Sequence, residues 1–205
     1  YKICDIPLSE IHGYLFEILQ ELDRICRKHN IKYSLEGGTL LGAAKYGDFV
    51  PWDDDLDVVM LRPEYERFVK ICKSELSEDF FLQNSDTEKE FPLNYTKLRY
   101  IGSKYVQRNY EFLDINQGLF LDLYPLDYVN EKKYRAKIHL LGLLNGAKNV
   151  KLEVLLSPLH KSPPISKYKA ILYKLVSRMS LKWLNNAIKN IMISTQKEET
   201  VLNLC

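Results

Sequence analysis

One segment constrains this chain more than any other: Pro51-Trp52-Asp53-Asp54-Asp55-Leu56-Asp57-Val58-Val59-Met60. It sets four carboxylates within five positions, with no basic residue among them, and runs directly into an apolar, β-branched stretch. In a strand, alternate side chains share a face, so Asp55 and Asp57 point one way and Leu56 points into a core. Like charges that close repel, and burial increases the cost. Either one carboxyl keeps its proton or a cation offsets both. A divalent ion with oxygen ligands is the simplest such cation. Mg2+ suits the pattern, because it takes one or two carboxylates together with substrate phosphates; Mn2+ is the substitute. The plainer reading is an acidic, solvated turn, but such a turn has no reason to alternate acid and aliphatic residues into a buried strand.

Two further segments gain meaning beside the first. Glu36-Gly37-Gly38-Thr39-Leu40-Leu41-Gly42 lies about 20 residues upstream. Paired glycines between a strand and a helix let backbone approach a phosphate, and a helix start favours an anion. Thr39 adds a hydroxyl. Alone, the glycines are equally a tight turn. Gly118-Leu119-Phe120-Leu121-Asp122-Leu123-Tyr124-Pro125 carries a lone acid inside an apolar strand. A buried, unpaired carboxylate is costly. Asp122 therefore meets a cation, serves a local hydrogen bond, or acts as a general base.

Periodicity supplies the scaffold. Leu8, Ile11, Leu15, Ile18, Leu22 and Ile25 recur at helical steps, predicting a helix over residues 8–29 that stops at Asn30. Strands are predicted at 32–36, 56–60, 80–83, 95–100 and 119–124. Gly37-Gly38-Thr39 reads as a sharp turn before a short helix at 40–45. Residues 47–54 read as a loop fixed by Pro51, and Pro63 opens a helix running to 76. From residue 130 the pattern is helical, with candidates at 131–150 and 167–192 and a linker at 160–164. The fold class is α/β in the α+β sense: a mixed sheet with flanking helices in residues 1–129, then a basic helical region in 130–205.

Charge divides at the same place. Residues 1–129 hold 15 Lys/Arg and 23 Asp/Glu, a balance of −8, and residues 130–205 hold 14 and 4, a balance of +10. The basic part suggests a surface for an anionic glycan or glycolipid acceptor, or peripheral association with an anionic membrane face; ordinary solvated helix faces are the alternative. No nucleic-acid recognition motif is present. Cys4, Cys26, Cys72 and Cys205 lack zinc spacing and read as reduced thiols of a cytoplasmic chain. The apolar run at 138–156 is broken by Lys148, Lys151 and Glu153, so it does not read as a membrane span.

Together the three segments resemble the LicD family of phosphocholine transferases, which have a nucleotidyltransferase fold and to which fukutin-related proteins are similar. The likeness covers roughly residues 8–129. It implies a metal-dependent transferase that moves a phospho-alcohol group from a CDP-activated donor to a sugar hydroxyl. The acceptor would be a cell-surface glycan, such as lipopolysaccharide or teichoic acid, or its lipid-linked precursor, modified at the inner face of the membrane. By the family pattern Asp55, Asp57 and Asp122 are the catalytic, metal-holding carboxylates. Gly37, Gly38 and Thr39 hold donor phosphates. Lys45, Trp52 and Asp53 line the donor site, and Lys97 and Arg99 contact phosphate or lie on a solvated strand face. Lys45 stands where the family often has Arg, losing bidentate geometry. A Tyr-Gly-Asp and paired-proline segment found near the C-terminus of many members is not recognised, which implies a truncated or divergent chain. The competing readings are a metal-dependent glycosyltransferase, for which Asp53-Asp54-Asp55 and Asp55-Leu56-Asp57 satisfy a loose Asp-x-Asp pattern, and a non-catalytic nucleotide- or metal-binding relative.

Overall fold

The computed structural model describes residues 6–107, 110–129, 134–156, 176, 178–193 and 200–203. Its elements run α1 (Leu8–His29), β1 (Ser34–Leu35), α2 (Gly37–Tyr46), β2 (Asp57–Leu61), α3 (Arg62–Glu75), β3 (Phe80–Gln83), β4 (Thr96–Tyr100), β5 (Phe120–Val129), α4 (Tyr134–Leu156), α5 (Leu181–Met192) and β6 (Thr200–Asn203). The sheet has the order β1-β2-β5-β4-β3, with β6 also paired to β5. β2 and β5 are parallel and the other pairings antiparallel, as a mixed sheet requires.

Strand alternation divides the sheet into two unlike faces. Leu56, Val58 and Met60 share one face with Leu82, Leu98, Leu119, Leu121 and Leu123. Against them pack Ile11, Leu15, Ile18, Leu22 and Ile25 of α1 and Tyr65, Phe68 and Cys72 of α3. The i, i+3/i+4 spacing of these helical residues is what turns one stripe of each helix inward. Asn30 ends α1 in the left-handed conformation at φ 50°, as its short polar side chain permits. The opposite face of the sheet carries the polar and aromatic residues considered below.

The differences from expectation have local causes. β1 is only two residues long. α2 begins at Gly37 rather than at residue 40, because the Glu36 carbonyl already accepts the Leu40 N–H at 3.1 Å. β5 continues past Pro125 to Val129. The Asp122 N–H is given to Leu56 on β2, so the N position of residue 125 faces the other neighbour. There β4 has ended at Thr96↔Leu123 and β6 begins at Leu126↔Asn203, so the missing proline donor falls in the gap. β6 itself is a strand where only helix was expected.

In the back part, α4 and α5 pack through Leu141, Ile188 and Met192. α5 starts at Leu181, where Ser180 Oγ accepts the Trp183 N–H at 3.1 Å. The expected linker at 160–164 and the stretch 167–175 of the second expected helix lie outside the described residues. Among the described residues, no helix is long and apolar enough to cross a membrane.

The basic excess is partly structural. Lys137 and Lys148 are buried: one donates to the Met192 carbonyl at 2.7 Å and the other to Asn94 Oδ1 at 2.8 Å. Lys189 lies 3.2 Å from Glu66 on α3. Lys148 and Lys189 join the basic back part to the front part and Lys137 ties α4 to α5, so the buried Lys137 and Lys148 do not belong to a solvated basic surface.

Candidate functional site

The parallel register between β2 and β5 builds the site. Asp57 and Asp122 are direct cross-strand partners, and Asp122 is in turn the partner of Lys97 on β4. Partners share a face, so Asp57, Asp122 and Lys97 form one row across three strands. Asp55 and Phe120 lie one step along the same face, with Arg99 beyond them, and Tyr95 and Tyr124 one step the other way.

The carboxylates sense one another. Burial, then Asp53, Asp54 and Asp122, push the Asp55 carboxyl up to about 6. Burial, then Asp55 and Asp122, push Asp57 up to about 7. Glu36 also acts on Asp57, and its Oε2 is buried without a hydrogen-bond partner. Crowded acids and an orphaned carboxylate oxygen are a chemically sound environment for a hard, oxygen-seeking dication.

Asp122 is already satisfied. Its residue exposure is 6%, and Lys97, at 1%, gives Nζ to Oδ1 at 2.5 Å. Burial pulls the Lys97 ammonium down to about 8, with Asp122 working against it. Among the described residues no group of three His, Cys, Asp or Glu side chains is assembled around one metal position. Asp55, Asp57 and Asp122 are therefore neighbours on one face without forming a ready-made ligand set. Mg2+ tolerates this best, since water and phosphate fill its remaining positions.

The glycine segment is brought to the acids. Gly37 has φ +56°, and a Cβ there would lie 3.3 Å from Asp57 Oδ2; one at Gly38 would overlap the Asp53 carboxylate. Only glycine lets the start of α2 come this close. Thr39 Oγ1 accepts the Asp57 N–H at 2.9 Å, locking the helix to the strand. Gly42 is closed over by the loop: its Cβ would meet the Asp48 carbonyl at 2.6 Å.

The remaining expected residues divide. Lys97 and Arg99 are not on a solvated strand face; both are 1% exposed. Arg99 is committed to Gln83 Oε1 at 2.5 Å and to the Gly118 carbonyl, and burial lowers it to about 10. Lys45 is exposed, its ammonium 5.2 Å from the Tyr46 ring centre, and Trp52 stands 74% exposed at the loop tip. Several contributors were not legible in advance. His12 stacks on Phe49 at 4.4 Å and its Nε2 meets the Asp53 carbonyl at 2.7 Å. Tyr105 donates to Asp54. Tyr95 and Tyr124 reach Asp122. Most of these lie far from the acidic run in sequence and belong to no motif. Glu36, at the head of the glycine segment, and Tyr124, in the Asp122 segment, had a signal.

The family model described as "LicD/FKTN/FKRP, nucleotidyltransferase domain" matches residues 30–161, more than half of the chain. The chain belongs to the LicD family. A 91-residue stretch is 43% identical to the lipopolysaccharide cholinephosphotransferase LicD of Haemophilus influenzae, covering 44% of this chain and 33% of that protein. A 55-residue stretch is 61% identical to the ribitol 5-phosphate transferase FKRP of Homo sapiens, covering 27% of this chain and 10% of that protein. The uncharacterized protein RP689 of Rickettsia prowazekii is 30% identical over 94 residues, which is 37% of this chain and 35% of that protein. The LicD-family chain thus spans about a third or less of the relatives it matches.

Proposed function

We propose that this LicD-family chain is a metal-dependent transferase that moves a phospho-alcohol group from a CDP-activated donor to a sugar hydroxyl of a cell-surface glycan or its lipid-linked precursor. The observation that carries the reading is the register Asp57↔Asp122 beside a glycine-started helix: the acids and the glycine turn meet at one place. Relatives named for cholinephosphate and ribitol 5-phosphate transfer support phospho-alcohol chemistry in kind.

Asp55 and Asp57 would hold Mg2+, with Asp122 on β5 completing the carboxylate set. When bound, the ion neutralises charge building on the diphosphate and the leaving CMP. The chain's own part is positioning. Gly37, Gly38 and Thr39 present backbone and hydroxyl to the donor phosphates. Lys97, held at Asp122, adds a fixed positive charge under the transferred group. Asp122 takes the proton of the attacking hydroxyl, and Asp53 is the second candidate for that role. Trp52 and Lys45 are free to cover the donor from the surface. The acceptor is anionic, met by the exposed cations of the back part at the membrane face.

The test is release of CMP from CDP-choline and CDP-ribitol by the full chain with Mg2+ or Mn2+. Asp55→Asn and Asp57→Asn should each abolish release, by a factor of at least about 10³ in kcat, without loss of fold. UDP-sugar turnover in place of CMP release would establish the glycosyltransferase reading instead. Near-normal CMP release by either variant would overturn the mechanism.

A further inference from the structure

Asp122 carries an arrangement that the proposed chemistry does not by itself require. Lys97 occupies Oδ1, and Oδ2 is reached by two phenols, Tyr95 Oη at 3.3 Å and Tyr124 Oη at 3.2 Å. Tyr95 lies just before β4 and Tyr124 follows Asp122 on β5, so the two hydroxyls come at one oxygen from different segments. Their rings brace each other at 4.4 Å between centroids, tilted by 46°. A phenol hydroxyl that meets a carboxylate oxygen can only donate to it.

A carboxylate on a strand otherwise rotates about χ2 with little resistance. Lys97 on Oδ1 and the two phenols at Oδ2, themselves hydrogen-bonded to each other, restrict that freedom. We propose that Tyr95 and Tyr124 are positioning residues: their hydroxyls fix the Asp122 carboxylate in the orientation in which it faces Asp57 and a divalent ion held there. The inference rests on the reading of Asp122 as part of the metal-holding set. Hydrogen bonds behind a ligating carboxylate raise metal affinity by holding the ligand in place. The hydroxyls are what matters; the rings alone would provide packing.

Tyr95→Phe, Tyr124→Phe and the double variant keep the rings and delete the hydroxyls. Mn2+ binding by the full chain, followed through loss of the free-ion EPR signal, should weaken about tenfold or more in the double variant and less in each single one. Thermal midpoints should stay within a few degrees. With whichever CDP-alcohol the wild type uses, kcat for CMP release should fall by a similar factor at saturating Mn2+, with the donor KM unchanged. Mn2+ affinity within twofold of wild type in the double variant overturns the proposal, as does tighter binding. Should the double variant fail to fold, the single variants decide by the same criterion. A wild type that binds Mn2+ but releases no CMP refutes the transferase reading while the affinity comparison still decides this one; a wild type that binds no Mn2+ overturns both.

Discussion

Lys97 and Asp122 form an ion pair, Nζ to Oδ1 at 2.5 Å, within a sheet that leaves them 1% and 6% exposed. The ammonium also sits 3.4 Å from the centre of the Phe120 ring. Asp122 thus has a resident cation, whereas Asp55 and Asp57 lie among acids. Removing one partner of a buried pair strands the other charge. Lys97→Met should cost about 3–5 kcal/mol in urea unfolding at neutral pH. Lys97→Met with Asp122→Asn should regain most of that. A single variant as stable as wild type would show that water reaches the pair.

Asp57 makes stability depend on pH in a direction opposite to that of a salt-bridged acid. Its carboxyl titrates at about 7 in the fold against an ordinary 3.8, so the folded state holds the proton more tightly than the unfolded chain. Chelator-treated protein should therefore gain stability as pH falls from about 8 through 7, and stop gaining near the unfolded value of about 4. Asp57→Asn should flatten that slope. At about pH 8 it should raise stability by about 1–2 kcal/mol, after discounting for solvent screening of a half-buried group. Thermal melts across pH, with and without Mg2+, measure both effects. A metal-free protein that is more stable at pH 8 than at pH 6 would contradict the acid crowding.

Gly38 and Gly42 should respond differently to alanine. A methyl at Gly38 meets the movable end of Asp53, whereas one at Gly42 meets backbone at Asp48, Phe49 and Val50. Gly42→Ala should cost about 1–3 kcal/mol as the loop is forced off the helix. Gly38→Ala should leave the melting midpoint nearly unchanged and still lower CMP release, because Asp53 is displaced. Equal stability losses at the two positions would remove the distinction.

Asn185 ties α5 to the front part by donating to the Phe91 carbonyl at 2.9 Å. Asn185→Ala leaves a buried acceptor unmet, at about 1–3 kcal/mol. Hydrogen exchange should show α4 and α5 losing protection while β2 and β5 keep theirs. Uniform loss across the sheet would mean that the helices and the sheet open as one unit.

Much of this architecture is written in local pattern. Leu56 between Asp55 and Asp57 marks the strand and its inward face, and the apolar steps of α1 announce a sheet-covering helix. The nearness of Asp122 to Asp57 is not local: it comes from a parallel register 65 residues apart in sequence, which the family likeness supplied and spacing could not. Lys97 and Arg99 show the limit most clearly. Alternating basic residues in a strand look solvated until a neighbouring strand is known to offer Asp122, Gln83 and an aromatic ring. Tyr95 is one among 14 tyrosines that nothing in the sequence separates from the rest, and Tyr124 was legible only as a member of the Asp122 segment. The asymmetry of charge was legible as a number, but its partial cause, Lys189 meeting Glu66, needs the packing of α5 on α3.

Pro125 divides the long strand into two working lengths. Upstream, Asp122 and Leu123 are clasped on both sides, by β2 and β4; downstream, Leu126 lies between β2 and β6, and Asp127 to Val129 pair with β6. A version ending before residue 200 would therefore leave a bare ladder edge on the strand that bears Asp122. Such an edge recruits other copies, so that version is expected to self-associate through it.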